Sequence, residues 1–353
     1  MKKISVALIL LVAAGAIVVV VLRHGGQQQQ HGSEPKEAQS TASRPAVQQQ
    51  KPVRAVSGAK TTPTMKPSGV VLASPAAPYE KQFLVNLSAN VRSVVGLDAN
   101  KGFAYRTAAL QTLGVNMPRG DIEGIYAFLS ARYEDHKTEM DLLEFESVRN
   151  DALDLLLRQA QLPPDLVTNL VAIFHDREQN EVWRDYSVQH FEPYCQAKWK
   201  ETAIPPTDPD WIAISNAYFE AVTETDSTIA GTALLGMERL SSAQSVISRD
   251  TVGQLAVTLA NDEKCGEPAR ITALRICGQL KKIEILPTAR FLSQTADTIS
   301  LQIAAIATLG DLGDASDREY LESTLLVGNQ RLHPAAKAAL QRLPKADPQS
   351  TVK

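Results

Sequence analysis

Aromatic residues are scarce in this chain: Phe, Trp and Tyr together make up 5% of its 353 residues, and Ala and Leu dominate the second half. That composition suits packed helix pairs better than a sandwich or barrel, whose strands favour aromatic and β-branched residues. Cysteine is limited to Cys195, Cys265 and Cys277, an odd number that cannot all pair. No Gly-rich Walker or Rossmann pattern and no Gly-x-Ser-x-Gly elbow is present, which removes the usual phosphate cradles and the serine-hydrolase signature. Asp98-Ala-Asn-Lys-Gly102 begins like a calcium loop, but Ala109 stands where the bidentate acid belongs. An excess of positive charge is missing as well. The whole chain carries −3; residues 23–80 hold seven basic and three acidic side chains, so with Lys2 and Lys3 set aside residues 81–353 carry −9. An acidic body argues against nucleic acid as a partner.

One long hydrophobic run is there. Ile4 to Leu22, ISVALILLVAAGAIVVVVL, has no charged residue in 19 positions. As a helix it spans about 28 Å, close to the hydrocarbon thickness of a bilayer. Ala14-Gly15-Ala16 offers a signal-peptide cleavage site, but cutting there leaves Ile17 to Leu22 bare on the mature chain. An uncleaved transmembrane signal-anchor over 1–23 accounts for the whole run. Lys2 and Lys3 then keep the N-terminus in the cytoplasm. The Met-Lys-Lys start has a bacterial look, which makes this a single-pass inner-membrane protein with its body in the periplasm.

Residues 24–78 read as a disordered linker. They contain no aromatic residue, carry Gln27–Gln30 and Gln48–Gln50, and are punctuated by seven prolines from Pro35 to Pro78. Such a stretch buries too little apolar surface to offset its ordering entropy. As a flexible coil it reaches roughly 40 Å.

From residue 79 to 343 the patterning is helical. Tyr105–Gly114 and Asp121–Ala131 form a first pair. Thr138–Ala160 follows with Leu142, Phe145, Val148, Leu153 and Leu156 inward, and Pro163-Pro164 opens another helix. Asn180–Lys200 continues with Trp183, Tyr186, Val188 and Phe191. The clearest interior break is 204–210, where Asp208-Pro209 caps a helix over Trp211–Val222 and the body is expected to bend. Residues 344–353 are a polar tail.

In Ile299–Leu326 the spacing predicts a helix with Ile299, Ile303 and Ile306 buried, stops at Gly310 and Gly313, and a capping box Ser316-x-x-Glu319. Tyr320, Leu321 and Leu325 supply the buried face of the next helix. Arg270–Leu280 aligns with Gln302–Leu312 at an offset of 32, for Ala273 with Ala305 and for Leu280 with Leu312. Leu343 follows Leu312 by 31, and Leu240 precedes Leu280 by a looser 40. A single helix pair cannot bury both its faces, so copies must stack. This spacing with small residues at matched places resembles HEAT repeats, in particular the short HEAT-like type of phycobilisome lyases, over 229–343 and more loosely over 100–200. The resemblance implies an all-α α-solenoid of stacked helix pairs. It implies no chemistry of its own, although a chromophore-related role follows by analogy of fold.

The function expected is therefore a membrane-anchored scaffold that holds a protein partner on the solenoid surface, with no catalysis, cofactor or metal. The alternative is an enzyme or metal-dependent accessory factor centred on 175–195. There His175 and Glu178 sit at i, i+3, and Asp185, His190 and Cys195 have the residue types of a nucleophilic triad. Five-residue steps on a helix turn successive members ~140° apart, which speaks against the triad. Trp183, Trp199, Trp211, Tyr186 and Tyr194 form core around the bend or else line a binding groove. Cys277 takes the place of Leu309, a core position; with a helix starting near Pro268 it lies ~13 Å along that helix while Cys265 is in the preceding loop, too far to bridge easily. A Cys195–Cys265 pairing is left open.

Overall fold

The computed structural model describes residues 7–13, 16–22, 86–98, 102–136, 139–200 and 202–344. The chain divides into two units, 1–69 and 70–353. The expected linker 24–78 lies outside the described residues, as does the tail beyond Pro344.

In the first unit the described residues of the apolar run, expected as one helix over 4–22, are extended. Ala7–Ala13 (β1) pairs antiparallel with Ala16–Leu22 (β2), from Ala7 opposite Leu22 to Ala13 opposite Ala16. Five successive β-branched residues, Ile17 to Val21, favour extended backbone over helix. Among the described residues no helix is long and apolar enough to cross a membrane.

From residue 86 onward the described chain is helices and their connections, without a strand. Ser88 caps α1 (Ala89–Val94), which is followed by α2 (Phe103–Gln111) and α3 (Arg119–Leu129). Gly96 turns the chain after α1 with φ +77°, and the Arg106 guanidinium occupies the space where its Cβ would stand. Asp141 and Glu144 form a reciprocal capping box that opens α4 (Leu142–Leu157). Phe145, Val148, Leu153 and Leu156 of α4 are buried as expected, and Leu142 is half-buried.

After Pro163-Pro164 comes a turn, so α5 (Leu166–His175) starts later than the prolines suggest. The expected helix over 180–200 breaks at His190 into α6 (Glu181–Gln189) and α7 (Phe191–Lys198). Asp208 accepts from the Asp210 and Trp211 amides and Pro209 opens α8 (Pro209–Ala221), as the sequence predicts. Lys198 bonds both Asp208 and Asp210 across the break, and Tyr194 donates to Asp210 at 2.5 Å. The loop between α7 and α8 is thereby tied at both ends.

The second half comprises α9 (Ile229–Ala243), α10 (Arg249–Asn261), α11 (Glu267–Gln279), α12 (Leu286–Thr295), α13 (Ile299–Leu312), α14 (Ser316–Val327) and α15 (His333–Arg342). Here α9 packs on α11, α11 on α13 and α13 on α15, while α10 lies against α9 and α11, α12 against α13, and α14 against α15. Small residues set these approaches. Ala269, Ala273, Ala305, Ala336 and Ala339 are fully buried, and a Cβ on Gly310 would stand 2.6 Å from the Ala339 Cα.

Three details of Ile299–Leu326 differ from expectation. The buried stripe of α13 is Leu301, Ala305, Ile306 and Leu309, with Ile299 half-buried and Ile303 exposed. Contact with α11, α12 and α15 on three sides, and not one amphipathic face, selects that stripe. Gly310 lies inside α13 and Gly313 caps it in an extended conformation (φ −66°), so neither is a left-handed stop. Ser316 is the first residue of α14 and no capping box forms there. Its amide and hydroxyl instead donate to Asp314, whose own amide donates to Asp317.

Candidate functional site

The residues singled out between 175 and 195 do not meet. His175 donates to Glu220 of α8 at 2.9 Å. Glu178 accepts from Arg132 in the connection before α4. Asp185 accepts from the Thr228 hydroxyl at 2.6 Å, and its burial raises its pKa. His190 is held between the Tyr186 carbonyl (2.6 Å) and the Asp154 carboxylate (3.2 Å), so both ring nitrogens are engaged. Cys195 is fully buried, and desolvation beside Glu192 pushes its thiol up to about 12. The imagined triad is thus divided: His190 faces Asp154, Asp185 faces Thr228, and Cys195 packs in the core. Among the described residues no three His, Cys, Asp or Glu are placed to hold a metal ion. All three cysteines are free and buried, with Cys277 also pushed up to about 12 by desolvation.

The aromatic cluster is core. Trp183, Tyr194, Trp199 and Trp211 are buried and Tyr186 is half-buried, which answers the groove reading of these rings. Trp183 donates its indole N–H to the Leu129 carbonyl, and the Arg149 guanidinium lies 4.0 Å from its ring centroid. Arg149 itself is fully buried. It donates to Glu146 at 2.9 Å, to the Leu129 and Ala131 carbonyls and to Gln179. Desolvation lowers it to about 10 and raises Glu146. Arg184 similarly clamps Glu224 through two bonds of 2.7 and 2.8 Å and donates to the Phe174 carbonyl. These arginines were not anticipated from the sequence. Their one local signal is Glu146 and Arg149 at i, i+3 amid aromatic residues.

Among the described residues the surface clefts include these two. One of about 600 Å³ lies between the end of α10, the start of α11, and α12 with the start of α13; Phe291, Leu292 and Leu301 meet Asn261, Arg270 and Thr288 there. The Arg270 guanidinium is turned to the Ala260 carbonyl and Thr288 bonds Asn261, so these three polar groups are used internally. The other, about 550 Å³, lies between the α2–α3 and α4–α5 connections, where Gln159 bonds the Met117 amide and the Gly114 carbonyl.

A broader surface is left by the packing of the second half. The α11 helix is covered by α9, α10 and α13, and α13 by α11, α12 and α15. One side of this row stays open. It carries Leu235 and Arg239 on α9, Ile271 and Arg275 on α11, and Ile303 and Ala307 on α13, each pair at i, i+4 and none of the six buried. The α11 and α13 pairs lie 32 residues apart, and Arg275 is close enough to Arg239 to feel its charge.

The chain matches no known family profile and no curated protein.

Proposed function

We propose that the chain is a membrane-attached helical-repeat scaffold. In this reading residues 4–22 hold it in the inner membrane with a cytoplasmic N-terminus, and 24–78 act as a tether. The HEAT-like solenoid of 79–343 then binds a protein partner in the periplasm. The observation that carries the proposal is the side-by-side order of α9, α11, α13 and α15, which leaves one open face along successive helices. Stacked helix pairs characteristically use such a face for binding. Attachment rests on the uncharged run Ile4–Leu22, which is long enough to cross a bilayer if it becomes helical in lipid, where a lone two-stranded ribbon would leave backbone groups unpaired. The alternative, catalysis from 175–195, has no geometric support, since its side chains are engaged apart from one another.

A photo-crosslinking residue placed at Ile303 in membrane-embedded protein tests the reading. A discrete adduct is expected from Ile303 and none from Leu326, an exposed residue near the end of α14. Adducts of equal pattern from both sites would defeat a defined binding face. Recovery of a soluble form beginning at Ile17 would defeat the anchor.

A further inference from the structure

On the open face of α9, α11 and α13 one charge has no answer. The guanidinium of Arg275 makes no hydrogen bond or ion pair among the described residues, and its Nε is buried without a partner. Burial and the neighbouring Arg239 both weigh against its charge, with Glu238 offsetting them in part. Arg239 pairs with Glu192 at 3.6 Å and keeps its side chain 43% exposed, free to meet a second anion. Other arginines of the body, Arg149, Arg184 and Arg290, are bonded to carboxylates, and the body as a whole carries −9, so acidic side chains are plentiful. An unpaired, half-desolvated guanidinium in such a protein costs free energy that an incoming anion recovers.

Beside the two arginines runs an apolar row, one helical turn away on each helix: Leu235, Ile271 and Ile303, half-buried to exposed. Cations on one side and aliphatic side chains on the other define the chemistry that fits. We propose that this face binds an extended acidic segment of a partner protein. Its carboxylates would meet Arg275 and Arg239, and its aliphatic side chains would lie along Leu235, Ile271 and Ile303. The proposal rests on the scaffold reading above and names the partner's chemistry. Arginine is suited to the role because its planar fork engages a carboxylate by two parallel bonds.

The test uses the full 353-residue chain and a fluorescein-labelled twelve-residue peptide of alternating Glu and Leu, with Gln/Leu and Lys/Leu peptides as controls. Fluorescence anisotropy should show the Glu/Leu peptide binding at least about tenfold more tightly than either control, weakening as salt is raised. Arg275→Gln should lose about tenfold for the Glu/Leu peptide alone. Because Arg275 has no partner to lose, this variant should melt no lower than the parent, which separates lost recognition from lost folding. Equal binding of the Lys/Leu peptide, no binding of any peptide, or an Arg275→Gln variant that binds as the parent does would each overturn the proposal. So would displacement of the peptide by millimolar inorganic phosphate, which would mark a small-anion site. If the Ile303 crosslink persists unchanged in Arg275→Gln, the scaffold stands and the acidic partner falls; if the crosslink is absent from the parent, the scaffold itself falls.

Discussion

Between α1 and α8 the core is built from large rings and from arginines whose charges are answered inside the protein. Phe128, Phe145, Phe174, Trp183, Phe191 and Tyr218 are buried there, and Arg106, Arg149 and Arg184 are buried among them with carboxylate or carbonyl partners. Between α9 and α15 no aromatic residue is buried: Phe291 is 61% exposed and Tyr320 half-buried, and the interior is chiefly Ala, Leu and Ile. The first half tolerates irregular helix lengths because long side chains bridge uneven gaps. The second half brings helix backbones close, and that requires the same small residues to recur at nearly constant spacing. Small residues at buried helix contacts therefore stand out in one half of the sequence, and large rings in the other.

The comparison breaks most sharply at Arg149. Arg149→Ala leaves Glu146 buried without its countercharge and the Leu129 and Ala131 carbonyls without their donor. The loss should reach about 3–5 kcal/mol in urea denaturation. Replacing both members with apolar residues of similar size should recover much of it. If Arg149→Ala costs no more than a surface substitution, the first half is not held by its internal ion pairs.

In the second half, Ala305→Leu should cost about 1–3 kcal/mol through overpacking. Ala42→Leu, in the expected linker and outside the described residues, serves as the control with no effect. Equal thermal shifts for the two would contradict close packing of α13.

How far the sequence reveals its structure follows the same division. Ala273 and Ala305 were legible because close helix contact admits only small residues, and Asp208-Pro209 because a cap and first turn are local chemistry. The Ile299, Ile303, Ile306 stripe misled, since a helix contacted on three sides has no single apolar face. Gly310 misled for a related reason: its lack of a Cβ serves contact with Ala339, a residue 29 positions away that no local pattern reveals. The His175–Cys195 cluster was close in sequence and nothing more, because His175, Glu178, Asp185 and His190 each found a partner on a different helix or loop and Cys195 packed in the core.

Glycine separates the halves by a smaller amount. Gly120 in α3 has no atom within 4 Å of its would-be Cβ, whereas at Gly310 that position is occupied. Gly120→Ala should stabilise by about 0.5–1 kcal/mol through helix propensity alone. Gly310→Ala should destabilise by about 1–2 kcal/mol, the overpacking exceeding the same gain. Thermal shifts of the same sign for both would show that the α13–α15 contact is not limiting.

The smallest effect belongs to the joint between the halves, where Asp185 of α6 accepts from Thr228 at the start of α9. Burial raises the Asp185 pKa more than its hydroxyl partners lower it. Below the unfolded-state value of ~3.9 the carboxyl is protonated in both states and adds no pH dependence. As pH rises past that point the unfolded chain releases its proton while the folded chain retains it. Stability from this residue therefore falls until the raised folded-state pKa is passed, and is constant above it. Asp185→Asn keeps an oxygen for Thr228 and removes the ionisation. The variant should match the parent's stability most closely near pH 3, gain on it as pH rises from the unfolded-state value through the raised folded-state one, and hold that gain to neutrality. Parallel melting profiles from pH 3 to 7 would show that Asp185 titrates as freely in the folded protein as in the unfolded chain. The joint would then be open to water and not packed shut by α6 and α9.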